Sequence, residues 1–188
     1  MPNDQTAALI ECAATLMQQE RIEDALDALG RAAKRLNLSP TRWPKPEQVR
    51  LALLARLALF DPDRASRITL MRRAALEAIA FFSEFQPRAV GGIVDGSAPA
   101  GSTIQFECRC EHAERLQTRL FELNIPAQQV ETLKGGVRRT RFEFSAGAFN
   151  FQLRVLKAGE QGFPVALCAD ASKLAKLIQM EQIGTSSY

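Results

Sequence analysis

Val90-Gly91-Gly92-Ile93-Val94-Asp95-Gly96-Ser97-Ala98-Pro99-Ala100-Gly101-Ser102-Thr103-Ile104-Gln105-Phe106 lies at the centre of the chain and gathers several of its small residues. It reads as a short strand, a glycine-rich turn and a second strand carrying Ile104, Phe106 and Cys108 at alternate positions. That period of two is what a strand with one buried face requires. Small residues at Gly91, Gly92, Gly96, Ser97 and Gly101 let the backbone come close to a neighbour, because glycine has no Cβ and tolerates positive φ.

Working outward, the chain before this stretch is helical. Apolar spacing at Ala7, Ile10, Ala14 and Met17 suits an amphipathic helix from Thr6 to Gln19. A second helix is expected over Ile22 to Leu36, with Ile22, Ala25, Leu26, Leu29, Ala33 and Leu36 inward. Ser39–Pro46, with three prolines and the only tryptophan, Trp43, is a stiff connection into a third helix from Glu47 to Phe60. Asp61-Pro62-Asp63 breaks the chain before a long fourth helix to Phe85, whose inward face is Ile68, Met71, Ala75, Ala78, Ile79 and Phe82.

Beyond the glycine turn, Ala113 to Leu123 reads as a helix. Gln128–Leu133 and Val137–Ser145 form a hairpin through Lys134-Gly135-Gly136. A second hairpin leads through Ala146-Gly147-Ala148 to Phe149–Lys157. Asp170 or Ser172 caps a last helix to Met180. The expected fold class is α+β, with a helical region over residues 1–60, basic in its second half, and an α/β domain over 61–188.

The spacing around Gly91 resembles the signature of the polymerase-β-like nucleotidyltransferase superfamily, including its small stand-alone members. There the pattern is hydrophobic-Gly-Ser, a glycine in the turn, then Ser-Asp-hydrophobic-Asp-hydrophobic. Gly91 and Gly92 match the first pair, Gly96 the turn glycine and Ser102 the serine. The resemblance covers about Asp61 to Lys157. It implies a nucleotidyltransferase-like palm with a mixed, mostly antiparallel sheet, and nucleotide contacts from Gly91, Gly92, Gly96, Ser97 and Ser102.

The family's two metal-binding aspartates fall on Thr103 and Gln105, and its third acid on Gln152, within Phe151-Gln152-Leu153. Nucleotidyl transfer needs a divalent ion held by carboxylates to neutralise charge on the phosphates. Neutral hydroxyl and amide groups hold magnesium poorly. The resemblance therefore implies a catalytically degenerate pseudoenzyme that binds nucleotide or nucleic acid, with no cofactor. The alternative is an active transferase using magnesium on displaced acids, Asp95, Glu107 and Glu143.

Two other constellations bear on function. Cys108, Cys110 and His112 set two thiols and the only histidine on one strand, a zinc set if Cys12 or Cys168 supplies a fourth ligand. The other reading is buried cysteines acting as small hydrophobes, with no metal. From Arg31 to Arg73, eleven basic residues face three acidic ones, a local net charge of +8 in a chain whose net charge is +3. RNA or DNA would find phosphate contacts at Arg31, Lys34, Arg35, Arg42, Lys45 and Arg50, with Trp43 free to stack on a base. A solvated helical surface, or a protein partner anchored by arginine and tryptophan, explains the same residues.

No apolar run reaches the roughly 18–20 residues of a membrane span, and Met1-Pro2-Asn3-Asp4-Gln5 does not open a secretory signal. Four cysteines do not form a disulfide framework. A reducing cytoplasm is the expected compartment.

Overall fold

The computed structural model describes residues 2–20, 22, 24–39, 42–134 and 137–185. Gly135 and Gly136 of the expected hairpin turn, and Pro40 of the proline connection, lie outside them. The chain divides into two compact units, Met1–Arg64 and Ala65–Tyr188.

The first unit holds α1 (Pro2–Glu20), α2 (Ala25–Arg35) and α3 (Pro46–Phe60). Their core joins Leu9, Ala13, Leu16 and Met17 to Ala25, Ala28, Leu29 and Ala32, and to Val49, Leu53 and Leu57. α2 starts later than expected because Asp24 caps it, its carboxylate accepting from the Leu26 N–H at 2.8 Å. Starting there, the buried stripe runs along Ala25, Ala28 and Ala32, small residues that let helices approach closely. Leu26, expected inward, is 61% exposed, and Leu36 is exposed as well.

The second unit is built on α4 (Arg64–Phe81), β1 (Arg88–Val90), α5 (Gly92–Asp95), β2 (Ile104–Arg109), α6 (Ala113–Glu122), β3 (Gln128–Lys134), β4 (Val137–Ala146), β5 (Phe149–Leu156), β6 (Cys168–Ala169) and α7 (Ala171–Thr185). The six strands form one mixed sheet in the order β3-β4-β5-β2-β1-β6. Only β2 and β5 run parallel; every other neighbouring pair is antiparallel. With seven α-helices among the described residues, the fold is α+β.

Alternation decides which face of the sheet is dry. Ile104, Phe106 and Cys108 of β2, Phe142 and Phe144 of β4, and Phe151, Leu153 and Val155 of β5 are buried in one cluster. That cluster takes in Ile68, Met71, Ala75 and Ile79 of α4, Leu116 and Leu120 of α6, and Leu174 of α7. Phenylalanine rings run through it, Phe82 to Phe144 at 6.2 Å, Phe144 to Phe151 at 5.2 Å and Phe151 to Phe106 at 6.4 Å between centroids, within the range in which aromatic pairs add stability. The alternate residues, Gln105, Glu107, Arg141, Glu143, Gln152 and Arg154, make the opposite, polar face.

Asp170 caps α7, accepting from the Lys173 N–H at 2.8 Å. Two elements were absent from the expected pattern. α5 is a single helical turn inside the glycine stretch, and β6 is a two-residue strand pairing with Ala89 and Val90. Neither is long enough to carry a period. Among the described residues, no helix is long and apolar enough to cross a membrane.

Candidate functional site

The glycine turn is wound tightly on itself. Gly91 has φ 76° and ψ −143°, a conformation suited to glycine alone. Gly92 lies under Ala98, where an added Cβ would stand 2.7 Å from the Ala98 amide nitrogen. Gly96 and Gly101 have φ of 80° and 74°. Several amides of the turn donate within the chain: Gly91 to the Leu167 carbonyl at 3.0 Å, Val94 to Gly91, Ala98 to Gly92, and Ser102 to Pro99. Ser97, itself buried, donates its N–H to Asp95 Oδ1 at 2.9 Å. Asp95 thus serves its own turn.

α5 is too short to satisfy its own last carbonyls. Arg72 of α4 does it instead: Nε donates to the Ile93 carbonyl at 2.7 Å and Nη2 to that of Val94 at 3.0 Å, while Nη1 pairs with Glu181 of α7 at 2.5 Å. Arg72 is only 4% exposed. Counted by charge it belongs to the basic span; in the fold it is an internal brace and offers nothing to a polyanion. The signal was present, since position 72 falls on the buried stripe of Ile68, Met71, Ala75 and Ile79.

The polar face of the sheet brings two of the three neutral positions, Gln105 and Gln152, side by side. Thr103 immediately precedes β2, and Gln105 and Gln152 are Cα partners across the parallel β2–β5 pair. Gln152 Nε2 donates to Glu143 Oε1 at 3.0 Å, and Glu143 also pairs with Arg141 at 2.8 Å. Glu107, 1% exposed, accepts from the Phe163 N–H at 2.7 Å and lies 3.7 Å from both Arg88 and Arg154. Its Oε2 has no hydrogen-bond partner among the described residues. Glu107 and Glu143 are therefore each balanced by arginine. Among the described residues no three His, Cys, Asp or Glu side chains come together to hold a metal ion, so neither Asp95, Glu107 and Glu143 nor Cys108, Cys110 and His112 assemble as a ligand set.

The thiols explain themselves by packing. Cys108 sits in the core, and Cys110 Sγ donates to the His112 carbonyl at 2.9 Å, while the His112 side chain is exposed. Burial, which disfavours the thiolate, pushes the Cys108 thiol up from its ordinary value to about 12. Unfolded, the same thiol ionises near pH 9, so the unfolded state loses a proton that the folded state keeps. Stability is then intact below pH 9 and falls as pH rises towards 12, by up to about 1.4 kcal/mol per pH unit. Urea unfolding at pH 8, 9.5 and 10.5 should show this slope in the parent chain and a shallower one in Cys108→Ala.

In the helical unit, Arg31 pairs with Asp27 at 3.0 Å and Glu20 at 3.5 Å, while Lys34 and Arg35 are exposed at the end of α2. Arg42, Trp43 and Lys45 are exposed ahead of α3, and Arg50 is half-buried on it. Trp43, 51% exposed, borders a groove of about 580 Å³ lined by Thr6, Arg42, Pro44, Lys45 and Gln48. The basic span Arg31–Arg73 crosses from one unit into the other.

Comparison with protein-family models, with curated proteins and with solved structures finds no match to this chain.

Proposed function

We propose that this chain is a catalytically degenerate, nucleotidyltransferase-like protein that binds nucleotide or nucleic acid without transferring it. One observation carries the reading. Gln105 and Gln152, the positions at which the resemblance asks for metal-binding acids, are partners on adjacent strands beside the glycine turn. Two amides in that place supply no negative charge. The carboxylates that share this face of β2 and β4, Glu107 and Glu143, are held by arginines. The residues present do not fit a magnesium ion, which takes anionic oxygens.

The test is a thermal-shift and product assay on the whole chain with each nucleoside triphosphate, with magnesium, manganese or EDTA. Stabilisation by nucleotide that is indifferent to the metal, with no labelled product, is the expected result. A metal-dependent product would establish the active alternative on displaced acids. Stabilisation by no nucleotide and no oligonucleotide would leave a protein-binding adaptor.

The nucleic-acid form of this reading has its own support in the groove at Trp43. An exposed indole between Arg42 and Lys45 offers a stacking face beside two phosphate partners, and among the described residues no acidic side chain lines the groove. Trp43 is the only tryptophan, so its fluorescence reports on the groove alone. Single-stranded oligonucleotides should quench it, with affinity falling as salt rises; Lys45→Glu should weaken binding about tenfold and flatten the salt dependence. Quenching that ignores salt, or that Lys45→Glu leaves unchanged, excludes phosphate contacts in the groove.

A further inference from the structure

We propose that residues 157–167, between β5 and β6, are a strap that closes the glycine turn against phosphate, so that a triphosphate reaches Gly91 only after the strap has let go. The inference rests on the nucleotide reading above and adds its regulation.

The strap occupies what a phosphate would need. The Gly91 N–H, first amide of the turn, donates to the carbonyl of Leu167 in the strap at 3.0 Å. Glycine at this position leaves the backbone bare on one side, and Phe163 covers that side: a Cβ on Gly91 would stand 3.9 Å from Phe163 Cε1. Backbone amides hold phosphate only when they are unengaged and aimed at it. Here the leading amide is engaged and screened.

The attachments are polar: Cys168 Sγ donates to the Phe163 and Pro164 carbonyls at 3.5 and 3.4 Å, and Lys173 Nζ to that of Ala166 at 3.2 Å. The Phe163 N–H donates to the buried Glu107 Oε1, and Arg154 Nη2 donates to the Gln161 carbonyl at 3.2 Å. The Arg154 guanidinium also lies 5.9 Å from the centre of the Phe163 ring, within reach of a cation–π attraction. Gly162 is pressed so close to the Glu107 carboxylate that any side chain there would overlap it. Beyond these points the strap is thinly packed: Gln161, Pro164 and Ala166 are exposed and Val165 is 80% exposed. Segments with few apolar contacts open at low cost. Opening frees the Gly91 amide and releases Arg154 Nη2 from the Gln161 carbonyl while Nη1 stays with Glu107, so Nη2 can turn to a phosphate oxygen.

Two variants loosen the strap by different routes. Phe163→Ala removes the cover from Gly91; Gly162→Ala forces the chain away from Glu107. Hydrogen exchange of the full-length chain should show the Gly91 amide and residues 161–167 exchanging at least tenfold faster in both, with β2 and β5 still protected. Calorimetric titration with ATP and with inorganic triphosphate should give about tenfold tighter binding in both variants, because a ligand's apparent affinity scales with the open fraction. Unchanged exchange at Gly91 in both variants overturns the strap outright. Equal ATP affinity in the parent and both variants, with Gly91 opened, also overturns it while leaving the nucleotide reading standing. An opened Gly91 with no affinity for ATP or triphosphate in any form fails the nucleotide reading, and the strap's role falls with it.

Discussion

Arg72→Met is expected to lower the unfolding free energy by about 3 kcal/mol, the lower end of the range for breaking a buried ion pair from one side. The substitution keeps the length of the side chain and removes its five donors. The carbonyls of Ile93 and Val94 lose their partners at 2.7 and 3.0 Å, and Glu181 loses its cation. Glu181 is partly open to solvent, which is why the lower end applies. Arg72→Lys keeps the charge with one donor atom in place of three, so it should recover part of the loss. Urea unfolding followed by circular dichroism measures both; with a slope of about 1–3 kcal/mol per molar urea, the Met variant's midpoint should fall by one molar or more. A midpoint within a few tenths of the parent would mean that α5 holds itself and that the arginine braces nothing.

Phe106→Ala should cost still more, about 3–5 kcal/mol, as for large aromatic truncations that leave a cavity. Phe106 is fully buried at the middle of β2, and its ring stacks 6.4 Å from that of Phe151 on the parallel neighbour. It stands between Gln105 and Glu107 in sequence, so the cavity would open directly behind the polar face. The same urea experiment reads the loss. Phe106→Leu should recover more than half of it, since the lost volume is smaller. A cost below about 1 kcal/mol for the alanine variant would place the ring outside the packed core.

Much of this architecture was legible because single-element periods survive folding. Ile68, Met71, Ala75, Ala78, Ile79 and Phe82 were read inward from helical spacing and all are buried. Phe142, Phe144, Phe151, Leu153 and Val155 were read from alternation, and they form the dry face. What escaped depends on partners remote in sequence. Arg72 was counted as surface charge because charge outweighed its place on the stripe; its burial goes with bonds to Ile93, Val94 and Glu181, remote in sequence. Leu26 was read as core because leucine is apolar, but the Asp24 cap sets the helix so that alanines face inward. α5 and β6 are one turn and two residues long, below the length at which a pattern exists. At the candidate site, the frame of glycines and the neutral side chains at 103, 105 and 152 could be read directly. Arg141 beside Glu143 is a near neighbour on the same strand and was legible too; the two arginines on Glu107 come from cross-strand register, and the cover over Gly91 from a loop with no periodicity.

The lone parallel junction in the sheet also dictates an order of assembly. β3, β4 and β5 follow one another as a local meander, and β1 and β2 join as near neighbours in sequence, so each group closes short loops. Seating β5 beside β2 closes a far longer loop, with a correspondingly larger entropic cost, and it is the event that brings Gln105 alongside Gln152. A nascent chain halted before Phe149 would hold β2 and β4 with bare edges, each able to capture a strand from another molecule. The step that brings the two glutamines together is thus the same one that covers both of those edges.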